Sequence, residues 1–308
     1  MHTRTCVCFL LAFFCFLNLQ TRQANAIQKQ RSVSISAIKK TIKKLKPLHS
    51  PIPKPQPGEW LATQRESGQT FAQWLRIKPI ILTPARKKLY VQPIGEFTDK
   101  QTEIIKLSAD FLAIYFNCEV TTLETMDESK IADRAKRKHP TWGDSQLLTS
   151  YILDDVLAPK LPGDAFAVIA FTSSDLWPGD GWNFVFGFAS FRDRVGVWTI
   201  YRNGDPTKGE DAFAQCLRRT IKIATHETGH MFSIQHCIKY QCNMQGSNSL
   251  PEADAQPLHL CPECHAKILL ATSCDPVARY EKLITFCQTH NLKTELDFFR
   301  AAKAQLEK

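Results

Sequence analysis

The residues best suited to chemistry lie in the segment 226–230, which reads HETGH. Histidines four positions apart lie on one face of a helix, one turn from each other, so His226 and His230 can bind the same metal ion. Glu227 lies beside the first ligand, where its carboxylate can take a proton from metal-bound water. His236 is the candidate third ligand. Three neutral imidazoles leave zinc with its charge and an open fourth position, so the pattern predicts a catalytic zinc.

Four cysteines follow the histidines and form a second candidate metal site: Cys237, Cys242, Cys261 and Cys264. Two cysteine pairs separated by about eighteen residues are typical of a closed, tetrahedral structural zinc site. Two disulfides are the alternative, which an exported protein could form. We favour zinc because Cys237 directly follows the third histidine, and we therefore predict two zinc ions per chain.

The segment 226–236 (HETGHMFSIQH) resembles the HExxHxxGxxH signature of the metzincin clan of zinc peptidases. With the cysteines that follow, the pattern resembles the archaemetzincin family within that clan. The resemblance covers most of 59–270, and further segments that carry it lie at 70–74, 90–96, 175–177, 181–187 and 194–197.

The resemblance implies a fold and an activity. The fold would be α/β (α+β), with a metzincin-like mixed, twisted sheet, an active-site helix and a small zinc-stabilised C-terminal subdomain. Met244 would lie in a tight turn beneath the metal. The activity would be that of a zinc-dependent metallopeptidase acting on small peptides, with aminopeptidase activity among the expectations. By the same resemblance, the strand Val195–Tyr201 would be the sheet edge along which a peptide lies; a plain core strand is the alternative.

One residue departs from the signature, because Ser233 occupies the position of its glycine. Glycine suits that position since the helix must stop in a backbone turn that is costly for other residues. A serine in a left-handed conformation would carry a strain of roughly 1–2 kcal/mol. We expect the fold to absorb this strain, since the residues after Ser233 still follow the pattern.

Two other functions compete with an active peptidase. If the turn displaced His236, the chain would be a catalytically impaired relative that binds zinc and peptides. A purely structural zinc protein, with metal at the cysteines alone, would need neither three histidines nor a general base at Glu227.

Hydrophobic periodicity predicts the elements that must position these residues. The pattern alternates strand and helix, continues with three strands, and ends in a helix from about Glu210 that carries the histidines. This order favours an α/β or α+β layer on a mixed sheet. The predicted segments before that helix are strand 89–93, helix 99–117, strand 119–123, helix 144–157 capped by Asp144, and strands 165–171, 184–191 and 195–201.

Residues 1–26 resemble a signal peptide, with Arg4, an apolar stretch and small residues before Ile27. We therefore expect a secreted, periplasmic or lumenal protein; a buried strand or a membrane anchor is the alternative. Residues 27–58 would be a basic, proline-rich linker, and 59–308 the catalytic domain. An apolar stripe within 27–46 could contact an anionic membrane surface, but a solvated linker is favoured.

The net charge of +9 belongs to the N-terminal part of the chain. Residues 1–58 hold ten of the 39 Lys and Arg residues and no Asp or Glu, so 29 basic and 30 acidic residues remain for the body. This balance gives no electrostatic case for nucleic-acid binding. A peptide substrate is the expected partner, and the sequence leaves the oligomeric state open.

Overall fold

A computed structural model describes residues 34–190 and 192–308. The predicted signal peptide 1–26 and the first residues of the predicted linker lie outside the described residues. Within the described ranges, no helix is both long enough and apolar enough to cross a membrane.

The described chain contains ten α-helices and eight β-strands. The helices are α1 (Ile35–Leu45), α2 (Trp60–Thr63), α3 (Phe71–Arg76), α4 (Asp99–Phe116), α5 (Thr149–Tyr151, continued by a π-helical segment, Ile152–Leu157), α6 (Glu210–Met231), α7 (Leu250–Ala255), α8 (Pro262–Thr272), α9 (Pro276–Thr289) and α10 (Lys293–Glu307). The strands are β1 (Lys88–Ile94), β2 (Glu119–Thr122), β3 (Lys136–Lys138), β4 (Ser145–Leu148), β5 (Ala165–Thr172), β6 (Asp175–Trp177), β7 (Gly187–Ser190) and β8 (Val195–Thr199). Short 3₁₀ turns lie at Lys46–Leu48, Glu128–Lys130, Asp133–Ala135, Ala158–Lys160 and Tyr201–Asn203.

The main sheet has five strands in the order β2-β1-β5-β8-β7. All neighbours are parallel except β7, which pairs antiparallel with β8. Every residue of the central strand β5 is buried, as expected for a strand that is covered on both faces. A smaller sheet has the order β3-β4-β6. The expected α/β fold on a mixed sheet is therefore confirmed.

The predicted substrate edge is wrong. Strand β8 lies between β5 and β7, and all five of its residues are buried. The chain reverses after β7, so that β7 pairs with β8 from Gly187↔Trp198 to Ser190↔Val195. The edge of the main sheet on this side is therefore β7, in the part of the chain that the structure describes.

The predicted helix 144–157 is wrong at its N-terminal end, and so is its Asp144 cap. Residues Ser145–Leu148 form β4, which pairs with β3 on one side and β6 on the other. The helix begins only at Thr149. Leu147 is buried in a core cluster that includes Leu153 and Leu176. Packing and pairing with strands elsewhere in the chain therefore override the local helical pattern.

Helix α6 positions the site, and buried apolar residues hold it against the core. Leu217, Ile221 and Ala224 are fully buried, and the helix packs against α4. Glu210 and Asp211 lie in its first turn, where negative side chains interact favourably with the helix dipole. The predicted start of this helix is confirmed.

The predicted solvated linker is wrong for the segment that forms helix α1. Ile38 and Leu45 are fully buried, and α1 packs against α8 and α10. Lys44 Nζ also donates to the carbonyl of Leu306. The apolar stripe of this segment is therefore used inside the protein, because it covers part of the core that the C-terminal helices leave open.

Residues 49–70, which we call the strap, connect α1 to the rest of the domain. Pro51 pairs with Tyr240, and the amide of Ile52 donates to the carbonyl of Lys239 at 3.2 Å. Farther along, the Trp60 amide donates to Glu252 Oε1 at 2.9 Å. The strap therefore lies against the segment that follows the third histidine.

Substitution at Ile38 tests whether α1 is part of the folded domain. We expect Ile38→Ala to lower the free energy of unfolding by about 2–4 kcal/mol, because it leaves a cavity in the core. Ile35→Ala is the matched control: its side chain is 45% exposed, and we expect a change within about 0.5 kcal/mol. Urea unfolding of both variants measures the difference, and equal stabilities would contradict the packing of α1.

Candidate catalytic metal centre

Helix α6 places the first two histidines side by side. The Nε2 atoms of His226 and His230 are 3.1 Å apart. Two nitrogens bound tetrahedrally to zinc at about 2.0–2.1 Å would be separated by about 3.3 Å. The pair therefore fits a shared zinc ion without rearrangement of the helix.

His236 comes to the same place from the turn after the helix. Its ring centroid lies 5.2 Å from that of His226 and 4.9 Å from that of His230. One ligand atom from each of the three histidines lies within 4.8 Å of the others. The three residues predicted to hold the catalytic metal are therefore brought together.

The turn that delivers His236 has the left-handed backbone that the signature requires. Ser233 has a φ of +62°, so the serine adopts the glycine conformation. Its Oγ accepts a hydrogen bond from the amide of Ile80 at 3.1 Å, and its carbonyl accepts one from Gln69 Nε2 at 3.1 Å. The serine therefore takes the glycine conformation without displacing His236 from the other two histidines, as expected.

Each imidazole is held through its other nitrogen. The Nδ1 atom of His226 lies 2.7 Å from the carbonyl of Asn243, and that of His230 lies 2.6 Å from the carbonyl of Ile234. The Nδ1 atom of His236 lies 2.7 Å from Glu66 Oε1. Since carbonyl and carboxylate oxygens only accept, Nδ1 carries the proton in all three rings and Nε2 is left for the metal.

Burial keeps His226 and His230 neutral. Burial, with the neighbouring histidines, places the pKa of His226 well below its usual value, and burial lowers the pKa of His230 to about 3. Neutral imidazole is the form that binds zinc. Burial also raises the pKa of Glu227 to about 7, a value suited to a group that exchanges protons near neutral pH.

Met244 is fully buried. A Cβ added at Gly229 would lie 2.6 Å from Met244 Sδ, so only glycine allows this contact. Met244 therefore packs against helix α6 at the residue that precedes His230.

The four predicted cysteines also come together. Their sulfur atoms lie within 4.8 Å of one another, and Cys237 Sγ is 3.7 Å from Cys261 Sγ. This separation is far from the disulfide bond length of about 2.05 Å. It matches the separation of about 3.8 Å for two thiolates bound tetrahedrally to zinc at about 2.3 Å. All eight described cysteines are free.

The chemistry of this cluster also favours a cation. Hydrogen bonds from the other thiols lower the pKa of Cys237, so one thiolate forms readily. Burial raises the pKa of Cys242, and the hydrogen bond with Cys237 raises that of Cys264. Backbone amides of Cys261 and Met244 point at Cys242 Sγ, at 3.1 and 3.5 Å. A metal ion would allow the remaining thiols to ionise together.

Comparisons with known proteins identify relatives of this chain. The profile of peptidase family M54 matches residues 153–269. Archaemetzincin-2 of Pongo abelii is 33% identical over 280 residues, which cover 80% of this chain and 77% of that protein. Archaemetzincin-2 of Homo sapiens is 32% identical over 279 residues, with the same coverage.

This chain belongs to the archaemetzincin family of zinc metallopeptidases. Archaemetzincin of Thermococcus kodakarensis is a more distant relative, 30% identical over 182 residues, which cover 59% of this chain and 95% of that protein. The crystal structure of archaemetzincin from Methanopyrus kandleri is 28% identical, with a TM-score of 0.49, and covers 60% of this chain and 94% of that chain.

In this archaemetzincin, one loop serves both groups of ligands. Cys242 belongs to the thiol cluster, the carbonyl of Asn243 holds His226, and Met244 lies under Gly229. Cys237, which follows His236, is tied to the same loop because its amide donates to the Met244 carbonyl at 2.7 Å. A change in the cysteine cluster would therefore alter the positions of the histidine rings.

Sequence reasoning missed three residues of the site. Glu66 contacts His236, Asn243 is fully buried beside the helix, and the Trp60 ring meets the His236 ring edge-on at 5.2 Å. Asn243 could have been suspected from its place between Cys242 and Met244. Glu66 and Trp60 lie 170 and 176 positions from His236, and no local pattern marks them.

Substitutions at Ser233 test how the turn is held. In Ser233→Gly, relief of about 1–2 kcal/mol of backbone strain is offset by the lost hydrogen bond and the greater freedom of the unfolded chain, so we expect stability within about 1 kcal/mol of the wild type. Ser233→Ala keeps the strain and loses the hydrogen bond, so it should be less stable than the wild type by about 1 kcal/mol. Urea unfolding ranks the variants, and an alanine variant more stable than the glycine variant would contradict this account.

Proposed function

We propose that this archaemetzincin hydrolyses peptide bonds, with zinc held by His226, His230 and His236 and with Glu227 as the general base. The observation that carries the proposal is the convergence of three metal-facing nitrogens beside a carboxyl group whose pKa is about 7. A structural role would require neither the base nor three ligands that leave a coordination position open.

A zinc ion held by these imidazoles supplies a Lewis acid and lowers the pKa of water toward 7. Glu227 follows His226 directly on the helix, so its carboxylate can accept the proton of the attacking water. The same carboxyl group can then return that proton to the leaving amine. A pKa close to the working pH suits both steps.

Strand β7 supports a short peptide as the substrate. It forms the edge of the main sheet in the described chain, and extended peptides bind by adding a strand to such an edge. Strand β7 also packs against helix α6, because a Cβ added at Gly187 would lie 3.4 Å from the Ile223 side chain. Ile223 comes three residues before His226 on that helix. Because β7 has only four residues, we propose small peptides, including peptides cleaved at a free amino terminus.

We also propose that a second, structural zinc binds Cys237, Cys242, Cys261 and Cys264. The sulfur separation and the two amides that point at Cys242 support this assignment. With four protein ligands the coordination sphere is closed, so this ion would hold the loop 242–244 in place and take no part in hydrolysis.

Glu227→Gln tests the general base. We expect hydrolysis to fall at least about 10²–10⁴-fold, because the amide cannot accept the proton, while zinc content stays unchanged. The assay uses a peptide library of matched free and N-acetylated members, with and without a chelator. Glu96→Ala, which removes an exposed carboxylate, is the control.

Each outcome of this assay has a definite reading. Unchanged activity in Glu227→Gln would exclude Glu227 as the base. A wild-type protein that holds zinc and binds peptides but cleaves none would be the catalytically impaired relative. Cleavage of free but not acetylated peptides would identify an aminopeptidase.

We propose that the protein is exported after cleavage before Ile27, into a secreted, periplasmic or lumenal location, with peptides rather than nucleic acids as its partners. An oxidising compartment requires that the four thiols bind metal before they form disulfides. Sequencing the amino terminus of the mature protein tests this. A start at Ile27 is expected, and an intact residue 1 would contradict export.

A further inference from the structure

We propose that Glu66 is a positioning residue that fixes the ring of His236 and sets how tightly the histidine site holds zinc. The inference deepens the proposed function and rests on it, since it takes the three histidines to bind zinc. Glu66 Oε1 lies 2.7 Å from His236 Nδ1, and both side chains are largely buried, with 24% and 18% exposed.

His236 depends on a side-chain partner more than the other two ligands do. His226 and His230 lie on a helix, and their Nδ1 atoms meet backbone carbonyls of nearby loops. His236 lies in an irregular segment after the helix, so its ring has no helical backbone to limit its direction. Glu66 supplies the orientation that the backbone does not.

The strap is anchored on both sides of Glu66, by Trp60 before it and by Gln69 after it. The Trp60 amide is bound by Glu252 Oε1, and the Trp60 ring lies over Gly246, where a Cβ would come within 2.5 Å of the ring. The same ring meets His236 edge-on, at an interplanar angle of 80°. His236 is therefore bounded by a carboxylate at Nδ1 and by an aromatic ring beside it.

Gln69 connects the same strap to the strained turn. Its Nε2 donates to the carbonyl of Ser233, and its Oε1 accepts from the amide of Gln235 at 3.3 Å. Lys267, fully buried, donates to both the carbonyl and the Oε1 of Gln69. The strap thus supports the turn at Ser233 and the ligand that the turn delivers.

The environment of Glu66 is better satisfied when a cation is bound to His236. Its second oxygen, Oε2, is buried and has no hydrogen-bond partner among the described residues. A buried carboxylate with a single neutral partner is costly. Zinc on the far side of the imidazole would place positive charge on that ring, and a carboxylate at Nδ1 in turn makes the imidazole a stronger ligand.

Zinc affinity, measured by competition with a fluorescent chelator, tests the proposal without any substrate. We expect Glu66→Ala to lower the affinity of one of the two zinc ions by about 10–100-fold and to leave the other unchanged. Glu66→Gln keeps an oxygen that accepts from Nδ1 but removes the charge, so its loss of affinity should be smaller than that of Glu66→Ala. Glu96→Ala is the charge-matched control and should equal the wild type.

A second measurement separates positioning from general support of the fold. In the metal-free protein, nitrogen chemical shifts should show His236 protonated at Nδ1 in the wild type and in Glu66→Gln, and a mixture of tautomers in Glu66→Ala. Wild-type zinc affinity in Glu66→Ala, or an unmixed Nδ1–H tautomer in that variant, would overturn the proposal.

If Glu66→Ala does not fold, Glu66→Asp decides, because it keeps the charge and withdraws the oxygen from Nδ1. A loss of zinc affinity of more than about threefold in Glu66→Asp supports the role, and wild-type affinity overturns it. A chain that binds zinc as described but cleaves no peptide would contradict only the proposed hydrolysis.

Discussion

Three imidazole rings can share one metal ion only if each ring presents the same nitrogen to a common point. In this archaemetzincin each ring is held by a different acceptor at Nδ1: the carbonyl of Asn243, the carbonyl of Ile234 and the carboxylate of Glu66. The remaining features of the structure position these acceptors. The core behind helix α6 fixes two rings, and the strap together with the turn at Ser233 fixes the third.

The thiol cluster belongs to the same arrangement. Cys242 and Met244 flank the residue whose carbonyl holds His226, and Cys237 follows His236 directly. A metal ion at the four thiols would tie together the two segments that orient these histidines. The proposed structural zinc would therefore stabilise the geometry of the histidine site.

The part of the site that the sequence reveals is the part encoded locally. The spacing of His226 and His230 follows from one helical turn, and the cysteine spacing follows from the geometry of a closed tetrahedral site. The turn at Ser233 could be foreseen because backbone sterics allow few ways to end a helix and reverse the chain. The order of strands and helices, which local hydrophobic periodicity indicates, likewise predicted the fold class.

Contacts between segments distant in the chain were harder to foresee. Glu66 is brought to His236 by the strap, and no periodicity reports such a contact. The basic helix α1 resembled a solvated segment because its short apolar stripe is interleaved with four lysines, yet two of its apolar residues, Ile38 and Leu45, are fully buried. The exchange of β8 for β7 as the sheet edge depends on strand order, which alternating hydrophobicity leaves undetermined.

Anomalous X-ray scattering at the zinc edge, from crystals of the protein as purified, tests whether the three histidines and the four cysteines each bind a zinc ion. We expect two zinc peaks per chain: one bound by the Nε2 atoms of His226, His230 and His236, with Glu66 on Nδ1 of His236, and one bound by the four cysteine sulfurs. A single peak at the cysteines, or zinc bound through Nδ1 of His236, would contradict it.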